Sequence, residues 1–383
     1  MGQSRQLTLA SPRRALPKVK RLVVKVGSGL ISSPSAGLLP DCINALADEI
    51  AGLVKGGREV VLVSSGAIAS GMARLGLTRR PRSIPEKQAA AAVGQSALMW
   101  HYEQAFGRSG IRVAQVLLTQ EDISDRTRYL NARNTLLVLL GFHVLPIVNE
   151  NDTVAVEEIK LGDNDNLAAL VAHLVDADLL VLLTDVDGLY TGDPQRDPDA
   201  RRLPTVEAVT EEIQRLVWDA EGRVSVGGMS TKLEAAQKVT SSGIPMVIAS
   251  GREPGRLARV LRGEPVGTYF APRADRLAAR KRWIAFAAPP QGRLTVDAGA
   301  RNALAERGKS LLPSGVIGVE GEFHAGEVVS LSLADGKEFA RGLTNYDAVE
   351  LRKIRGAKTS ALEALLGYKS FDEVVHRDNL VLL

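Results

Sequence analysis

Runs of apolar, mostly β-branched residues recur along the first two-thirds of the chain, and each run ends in small or polar residues. The runs are "RLVVKVGS", "EVVLVSSGA", "RVAQVLLT", "HVLPIVNEND", "DLLVLLTDVDGL" and "IPMVIASG". Segments with helical spacing lie between them, such as "DCINALADEIAGLVKGG", which Asp41 opens and Gly56 and Gly57 close. Continuous apolar strands separated by helices are typical of a parallel sheet covered on both faces. The pattern predicts an α/β, three-layer αβα sandwich with a mainly parallel central sheet.

The pattern changes near residue 270. The stretch "APRADRLAARKRW" (271–283) predicts a linker or a short helix. Short strand-like pieces follow, and turn signals such as Asp335-Gly336 separate them. This change indicates a second, small and β-rich domain. The predicted segments are a basic N-terminal extension, the three-layer domain and the β-rich domain, at residues 1–20, 21–268 and 276–383.

Length and composition fit such a two-domain protein. The chain has 383 residues, of which 45% are hydrophobic, enough for a full core and too many for one typical domain. A run of about 18 apolar residues is absent, which predicts no membrane span, and the N-terminus lacks the apolar core of a secretion signal. The single cysteine, Cys42, excludes an intrachain disulfide. We therefore expect a cytoplasmic protein.

The net charge of +4 comes from the N-terminus. The first 21 residues carry six basic residues and no acidic one, so residues 22–383 sum to −2 (+4 minus +6). A basic surface for nucleic acid would require clustering that only this segment shows. We predict that the segment is a disordered extension, and the alternative is a tether to an acidic partner.

Two glycine-rich stretches end or begin with a lysine. "KVGSG" offers Lys25 beside Gly27 and Gly29, which allow backbone N–H groups to approach a phosphate. "SVGGMSTK" places Lys232 at a predicted helix start, where free N–H groups bind anions. Either stretch alone also fits an ordinary turn or a capped helix. Together they favour a polyphosphate site at the carboxyl ends of the strands.

Other polar clusters follow the strands at the same predicted edge. Ser65 lies in "SSGAIASG", which suits a ligand carboxylate or close helix packing, and "NEND" brings Glu150 and Asp152 after a buried strand. In "KLGDNDNLAAL", four small polar residues in a row precede an apolar helix, more than capping requires. We expect Asp163 or Asn166 to cap this helix, which leaves the others for a ligand.

In this order, the clusters resemble the amino acid kinase family and, within it, the glutamate 5-kinases. The resemblance runs through "VVKVGS", "VSSGAIASG", "KQAAAAVGQ", "PIVNENDTVA", "KLGDNDNLAA", "LLTDVDGLYTGDP" and "GGMSTKLEAA". The NEND and GDNDN pair carries most of its specificity. The C-terminal part is similar to the PUA domain, a small pseudo-barrel common in RNA-modifying enzymes.

The resemblance implies ATP-dependent phosphorylation of the side-chain carboxylate of L-glutamate to L-glutamyl 5-phosphate, the first step of proline biosynthesis. It implies ATP and Mg²⁺ as cofactors without protein metal ligands, feedback inhibition by proline, and a homo-oligomer. Lys25 and Lys232 would hold the phosphoryl group, with Asp165 pairing with both. Glutamate would contact Ser65, Asp152 and Asn164. The implied nucleotide-binding residues are Lys25, Thr184, Asp185, Val226, Gly227, Gly228, Met229, Ser230, Thr231 and Lys232.

One departure and two alternatives stay open. Val226 stands where the family's nucleotide loop commonly has a threonine. The first alternative is another amino acid kinase, acting on aspartate, acetylglutamate, carbamate or a nucleotide, against which the NEND and GDNDN pair argues. The second is an RNA-binding or regulatory protein with an idle kinase fold. Residues 275–383 carry 16 Lys and Arg against 14 Asp and Glu, which gives tight RNA binding little electrostatic support.

Overall fold

The computed structural model divides into two compact units, residues 1–273 and 274–383, each taken by itself below. It describes residues 12–33, 37–79, 81–124, 126–154, 164–194, 196–221, 228–273, 290–368 and 371–383. Among the helices of these residues, none combines the length and the apolar character that crossing a membrane requires. The segment bounds predicted from the sequence remain predictions.

The first unit is built on a mainly parallel sheet. Its strands, with a separate two-stranded ribbon at β2 and β3, are β1 (Arg21–Val26), β2 (Ser32–Ser33), β3 (Gly37–Leu38), β4 (Glu59–Ser64), β5 (Val113–Leu118), β6 (Leu145–Glu150), β7 (Leu179–Thr184), β8 (Thr205–Val206), β9 (Met246–Ser250) and β10 (Thr268–Phe270). Within the described residues, the sheet order is β5-β6-β4-β1-β7-β9-β10-β8. The pairing of β9 with β10 is antiparallel, and the other pairs in this sheet are parallel.

Helices cover both faces of the sheet. They are α1 (Ser28–Ile31), α2 (Pro40–Lys55), α3 (Ala67–Arg74), α4 (Ile84–Gly107), α5 (Gln120–Ser124), α6 (Arg126–Gly141), α7 (Asn164–Leu174), α8 (Glu211–Glu221), α9 (Met229–Ser241) and α10 (Arg256–Leu261). Helix α4 starts with a capping box, in which the Ser83 side chain accepts from the Glu86 N–H and the Glu86 carboxylate accepts from the Ser83 N–H. Helix α2 begins at Pro40, so Asp41 lies in its first turn.

Alternate residues of the central strands enter two separate hydrophobic cores. Leu22 and Val24 of β1 pack in the core that contains Ile50 of α2. Val23 of the same strand packs in the core that contains Leu167 of α7. Since successive strand side chains point to opposite faces, the sheet is buried on both sides. The predicted three-layer αβα arrangement is confirmed.

The second unit is a mixed sheet with its own core. Its elements are β11 (Gly292–Val296), α11 (Ala298–Ala305), β12 (Val316–Gly321), β13 (Val328–Ser332), β14 (Glu338–Leu343), α12 (Ala348–Ile354), α13 (Leu362–Leu366) and β15 (Leu380–Leu382). The order is β12-β11-β13-β14-β15 in the described part of the unit. Gly336 turns between β13 and β14 with φ +80°, and the Lys337 N–H donates to Asp335 Oδ1 at 2.9 Å. The predicted β-rich domain and its turn are confirmed. Of the predicted linker, residues 274–283 lie outside the described residues.

The prediction of a disordered N-terminal extension is wrong for the described part. Residues Pro12–Lys18 form a 3-10 helix, in which Leu16 is buried in the core of the first unit. The guanidinium of Arg13 is buried and lies 5.6 Å from the ring centroid of Tyr269. It donates to four carbonyl oxygens, those of Pro204, Glu264, Val266 and Gly267. Residues 1–11 lie outside the described residues.

Candidate active site

The carboxyl ends of the central parallel strands bring the polar clusters of the sequence to one edge of the sheet. Lys25 is the fifth residue of β1, Ser65 follows β4, Asn149 and Glu150 end β6, and Thr184 ends β7. The register pairs Val26 with Ser64 on one side and with Leu183 on the other, so these strand ends are level. Ligands of open parallel sheets bind at such an edge.

Asp165 lies at the centre of this edge, between two lysines. Its Oδ1 is 2.6 Å from Lys25 Nζ, and its Oδ2 accepts a hydrogen bond from Lys232 Nζ at 3.0 Å. Asp165 is 0% exposed, Lys25 4% and Lys232 5%. A carboxylate at this position offsets the repulsion between two buried ammonium groups, which is strong where water is excluded. The contacts are the pairing that the family resemblance implies.

The start of α7 explains how three consecutive residues serve three different partners. Successive residues of an α-helix point about 100° apart. Asn164 therefore points to the ends of β4 and β6, Asp165 points to the lysines, and Asn166 points to α9. The expected capping by Asn166 is corrected, because its amide is bonded to Glu234 and Lys238 of α9. Asp163 lies outside the described residues.

Asn164 contacts Ser65, another of the residues predicted to bind the glutamate substrate. Its Nδ2 lies 2.8 Å from Ser65 Oγ, 3.0 Å from the Ser64 carbonyl oxygen and 2.9 Å from Asn149 Oδ1. Two amide hydrogens are thus shared among three acceptors, which fixes the orientation of the amide group. Its carbonyl oxygen points away from these acceptors. Asp152 follows the end of β6 by two residues, in a turn at the same edge.

Four residues that the sequence did not single out support this cluster. Asn149 Nδ2 donates to Gln95 Oε1 of α4 at 2.8 Å, and Ser64 Oγ bonds to the Tyr102 hydroxyl at 2.8 Å. Burial raises the pKa of Tyr102, and the hydrogen bond with Ser64 opposes that shift in part. Asn149 and Gln95 lie within "NEND" and "KQAAAAVGQ", so the motifs could have indicated them. Nothing in the sequence indicates Tyr102.

The predicted nucleotide residues fall into two groups. At the start of α9, Thr231 Oγ1 lies 3.0 Å from Asp165 Oδ2 and 2.9 Å from the Gly228 carbonyl oxygen. At the end of β7, the Thr184 hydroxyl donates to Asp185 Oδ1 at 3.0 Å. Met229 and Ser230 open α9, while Val226 and Gly227 lie outside the described residues.

The donor set does not resemble a metal centre held by protein alone. Across the described ranges, no group of three or more His, Cys, Asp or Glu side chains is arranged to hold a metal ion. Asp165, a fully buried carboxylate of the edge, already contacts two ammonium groups. Two lysines and a helix N-terminus suit an anionic, phosphate-bearing ligand.

Two buried lysines around one carboxylate, at the carboxyl edge of a parallel αβα fold, suit an enzyme that handles phosphate groups. The chain belongs to the amino acid kinase family, whose model matches residues 20–250. A PUA domain matches residues 292–366. The predictions of the family, of a kinase and of a PUA domain are confirmed.

Related proteins align with this chain over almost its whole length. The chain is 53% identical to the glutamate 5-kinase of Moorella thermoacetica, over 97% of this chain and 98% of the relative. It is 53% identical to the glutamate 5-kinase of Myxococcus xanthus, over 98% of this chain and 100% of the relative. A UMP kinase structure from Bacillus anthracis aligns with a TM-score of 0.46 and 18% identity, over 67% of this chain and 97% of that one. The assignment rests on the sequence matches.

Proposed function

We propose that the chain transfers the γ-phosphoryl group of ATP to the side-chain carboxylate of L-glutamate, which forms L-glutamyl 5-phosphate for proline biosynthesis. The observation that carries the proposal is the buried contact of Asp165 with both Lys25 and Lys232. The choice of glutamate as the substrate rests on the glutamate 5-kinases, which share about half of the residues of this chain. We also propose a cytoplasmic location.

The acceptor requires no general base. A glutamate side chain has an ordinary pKa of about 4.3, so its carboxylate is ionised and nucleophilic at neutral pH. Phosphoryl transfer then depends on in-line positioning and on neutralising the charge of a loose transition state. Lys25 and Lys232 supply two positive charges on fixed elements, β1 and α9. Asp165 holds both ammonium groups in place while the transferring phosphoryl lies against them.

ATP would bind at the same edge of the sheet, through the predicted nucleotide-binding residues of α9 and β7. The N-terminus of α9, the positive end of the helix dipole, lies beside Lys232, and Thr184 and Asp185 lie at the end of strand β7. A Cβ atom at Gly27 would lie 3.9 Å from the Lys25 ammonium. Because Gly27 has no side chain, the space beside that charge is left for a ligand. Mg²⁺, carried by the phosphates, would supply further charge neutralisation when bound.

Glutamate recognition is assigned to the Asn164 cluster. The fixed amide of Asn164 presents a carbonyl oxygen, and Asp152 adds a carboxylate, so both accept hydrogen bonds from the substrate α-ammonium. Ser65 would contact a substrate carboxylate. N-acetylglutamate has a neutral amide in place of the ammonium and so loses the charge attraction to the Asp152 carboxylate, and we expect strong discrimination against it. We also propose that proline inhibits by competing in this pocket and that the chain forms a homo-oligomer.

Turnover with trapping of the acyl phosphate by hydroxylamine tests the proposal. We expect hydroxamate with ATP, Mg²⁺ and L-glutamate, and little with aspartate or N-acetylglutamate. The Asp165→Asn variant should lose about 100-fold in kcat, because the two lysines are no longer held in position. A wild-type protein that forms hydroxamate from another acid, or from none, would contradict the proposal.

A further inference from the structure

The amide of Asn166 joins helices α7 and α9 one position along the chain from Asp165. Its Nδ2 donates to Glu234 Oε2 at 3.2 Å, and its Oδ1 accepts from Lys238 Nζ at 2.7 Å. Asn166 is 6% exposed, whereas Glu234 and Lys238 lie on the exposed side of α9. A buried amide therefore lies beneath two charged side chains that bond to its opposite ends.

These two partners fix the amide in one orientation. A carboxylate only accepts hydrogen bonds and an ammonium group only donates them. Rotating the amide by half a turn would bring oxygen against oxygen at Glu234 and nitrogen against nitrogen at Lys238. The two partners are four residues apart and so lie on one face of α9. Asn166 thus holds α9 at two points on that face.

The same pair of helices carries Asp165 and Lys232, the second being one of the two lysines proposed to hold the phosphoryl group. Asp165 of α7 contacts Lys232 of α9 at 3.0 Å, and the Asn166 contacts extend the connection as far as Lys238. Six residues of α-helix span about 9 Å along the axis. Contacts spread over this length restrict both the sliding and the rotation of α9 against α7. The position of Lys232 beside Asp165 depends on both.

We propose that Asn166 is a positioning residue for the phosphoryl transfer. By holding α9 through Glu234 and Lys238, it sets the place of the Lys232 ammonium relative to Asp165, and it acts through Lys232 without touching substrate. The kinetic part of this inference rests on the proposed function. A displacement of about 1 Å at a reacting centre costs as much as 100-fold in rate, so a small shift of α9 is enough to be measured.

A charge rearrangement tests the contact without relying on one variant. Asn166→Asp keeps an acceptor for Lys238 and places a carboxylate against Glu234. Adding Glu234→Gln supplies an amide donor to that carboxylate. We expect kcat to fall about tenfold in Asn166→Ala and in Asn166→Asp, with the glutamate KM within about twofold of wild type. The double variant should recover most of kcat, and Glu234→Gln alone should stay near wild type, because its amide oxygen still accepts from Asn166.

Crystal structures of the variants give a readout that needs no substrate. In Asn166→Ala and Asn166→Asp, the distance between Lys232 Nζ and Asp165 Oδ2 should open beyond about 3.5 Å. If wild type makes no glutamate hydroxamate, the proposed function fails and this distance alone decides the inference. Wild-type kcat in both single variants, a loss confined to KM, an unchanged distance, or a double variant no better than Asn166→Asp would overturn it. If Asn166→Ala does not fold, the Asn166→Asp series carries the test.

Discussion

Asp165 is the residue on which the charge balance of the edge depends. It is fully buried and contacts two ammonium groups that are themselves about 95% buried. Removing Lys25 leaves one carboxylate with one lysine, a neutral pair. Removing the charge of Asp165 leaves two buried ammonium groups without their shared carboxylate, and such uncompensated charge costs about 3–5 kcal/mol.

We therefore predict that Asp165→Asn lowers the free energy of unfolding by about 2 kcal/mol more than Lys25→Met does. The measurement is urea unfolding without nucleotide, followed by circular dichroism. Lys55→Met removes a positive charge from an exposed position at the end of α2 and serves as the control, with an expected change within about 0.5 kcal/mol. The charge argument fails if Lys25→Met is the more destabilising of the two site variants.

Helices α3 and α4 approach so closely that their backbones touch. A Cβ atom built on Gly94 of α4 would lie 1.8 Å from the Ala67 carbonyl oxygen, and one on Gly71 of α3 would lie 1.7 Å from the Ala90 carbonyl oxygen. Helix α3 follows Ser65 directly through Gly66, whose φ of +107° favours glycine. The distance between the two helices therefore sets the position of Ser65 beside Asn164, in the cluster proposed to bind the substrate glutamate.

We predict that Gly94→Ala raises the glutamate KM about tenfold and lowers the melting temperature, since α3 must move away and carry Ser65 with it. Gly52→Ala is the matched control, because a Cβ atom there meets nothing within 4 Å in helix α2. It should keep the wild-type KM and gain up to about 1 kcal/mol in stability. Equal glutamate KM values in the two variants would refute the link between α3 and the pocket.

Elements with a strong local pattern were predictable, and those fixed by distant partners were not. The six apolar runs correspond to β1, β4, β5, β6, β7 and β9. Strands β8 and β10 have two and three residues, too few for any periodicity. They form because β10 pairs with β9 and β8 pairs with β10. The sequence placed Arg13 in a disordered extension. Its four carbonyl partners lie at least 191 residues away along the chain, so no local pattern indicates them.

The same limit applies to the candidate site. Lys25, Asp165 and Lys232 were predicted as site residues, because lysines beside glycine turns and acids at a helix start are recognisable in sequence. Asn166 was read as a capping residue, a local role, whereas its partners are 68 and 72 positions away on α9. Spacing within a motif cannot reveal a contact between two helices.

At the scale of the whole molecule, the internal contacts of the first unit continue as far as Arg273. Strand β10 spans Thr268–Phe270 and pairs with both β9 and β8. The Arg273 N–H donates to the Thr240 carbonyl oxygen at 2.9 Å, and Arg273 Nη2 donates to the Val209 carbonyl oxygen at 3.1 Å. A chain cut at residue 268 would end within β10 and would lack the contacts of Arg273.

A chain that ends after Arg273 should therefore fold and keep glutamate-dependent turnover, since every site residue discussed above lies in the first unit, which has its own cores. A chain that ends after Val266 should melt at a lower temperature, because it lacks β10, the Gly267 carbonyl oxygen that Arg13 bonds and the ring of Tyr269 beneath that guanidinium. Thermal unfolding by circular dichroism and the hydroxamate assay measure both chains beside the full-length protein. If the chain of 273 residues melts cooperatively yet makes no hydroxamate, the PUA unit takes part in the chemistry. If the two truncated chains melt at the same temperature, β10 and its contacts add nothing to stability.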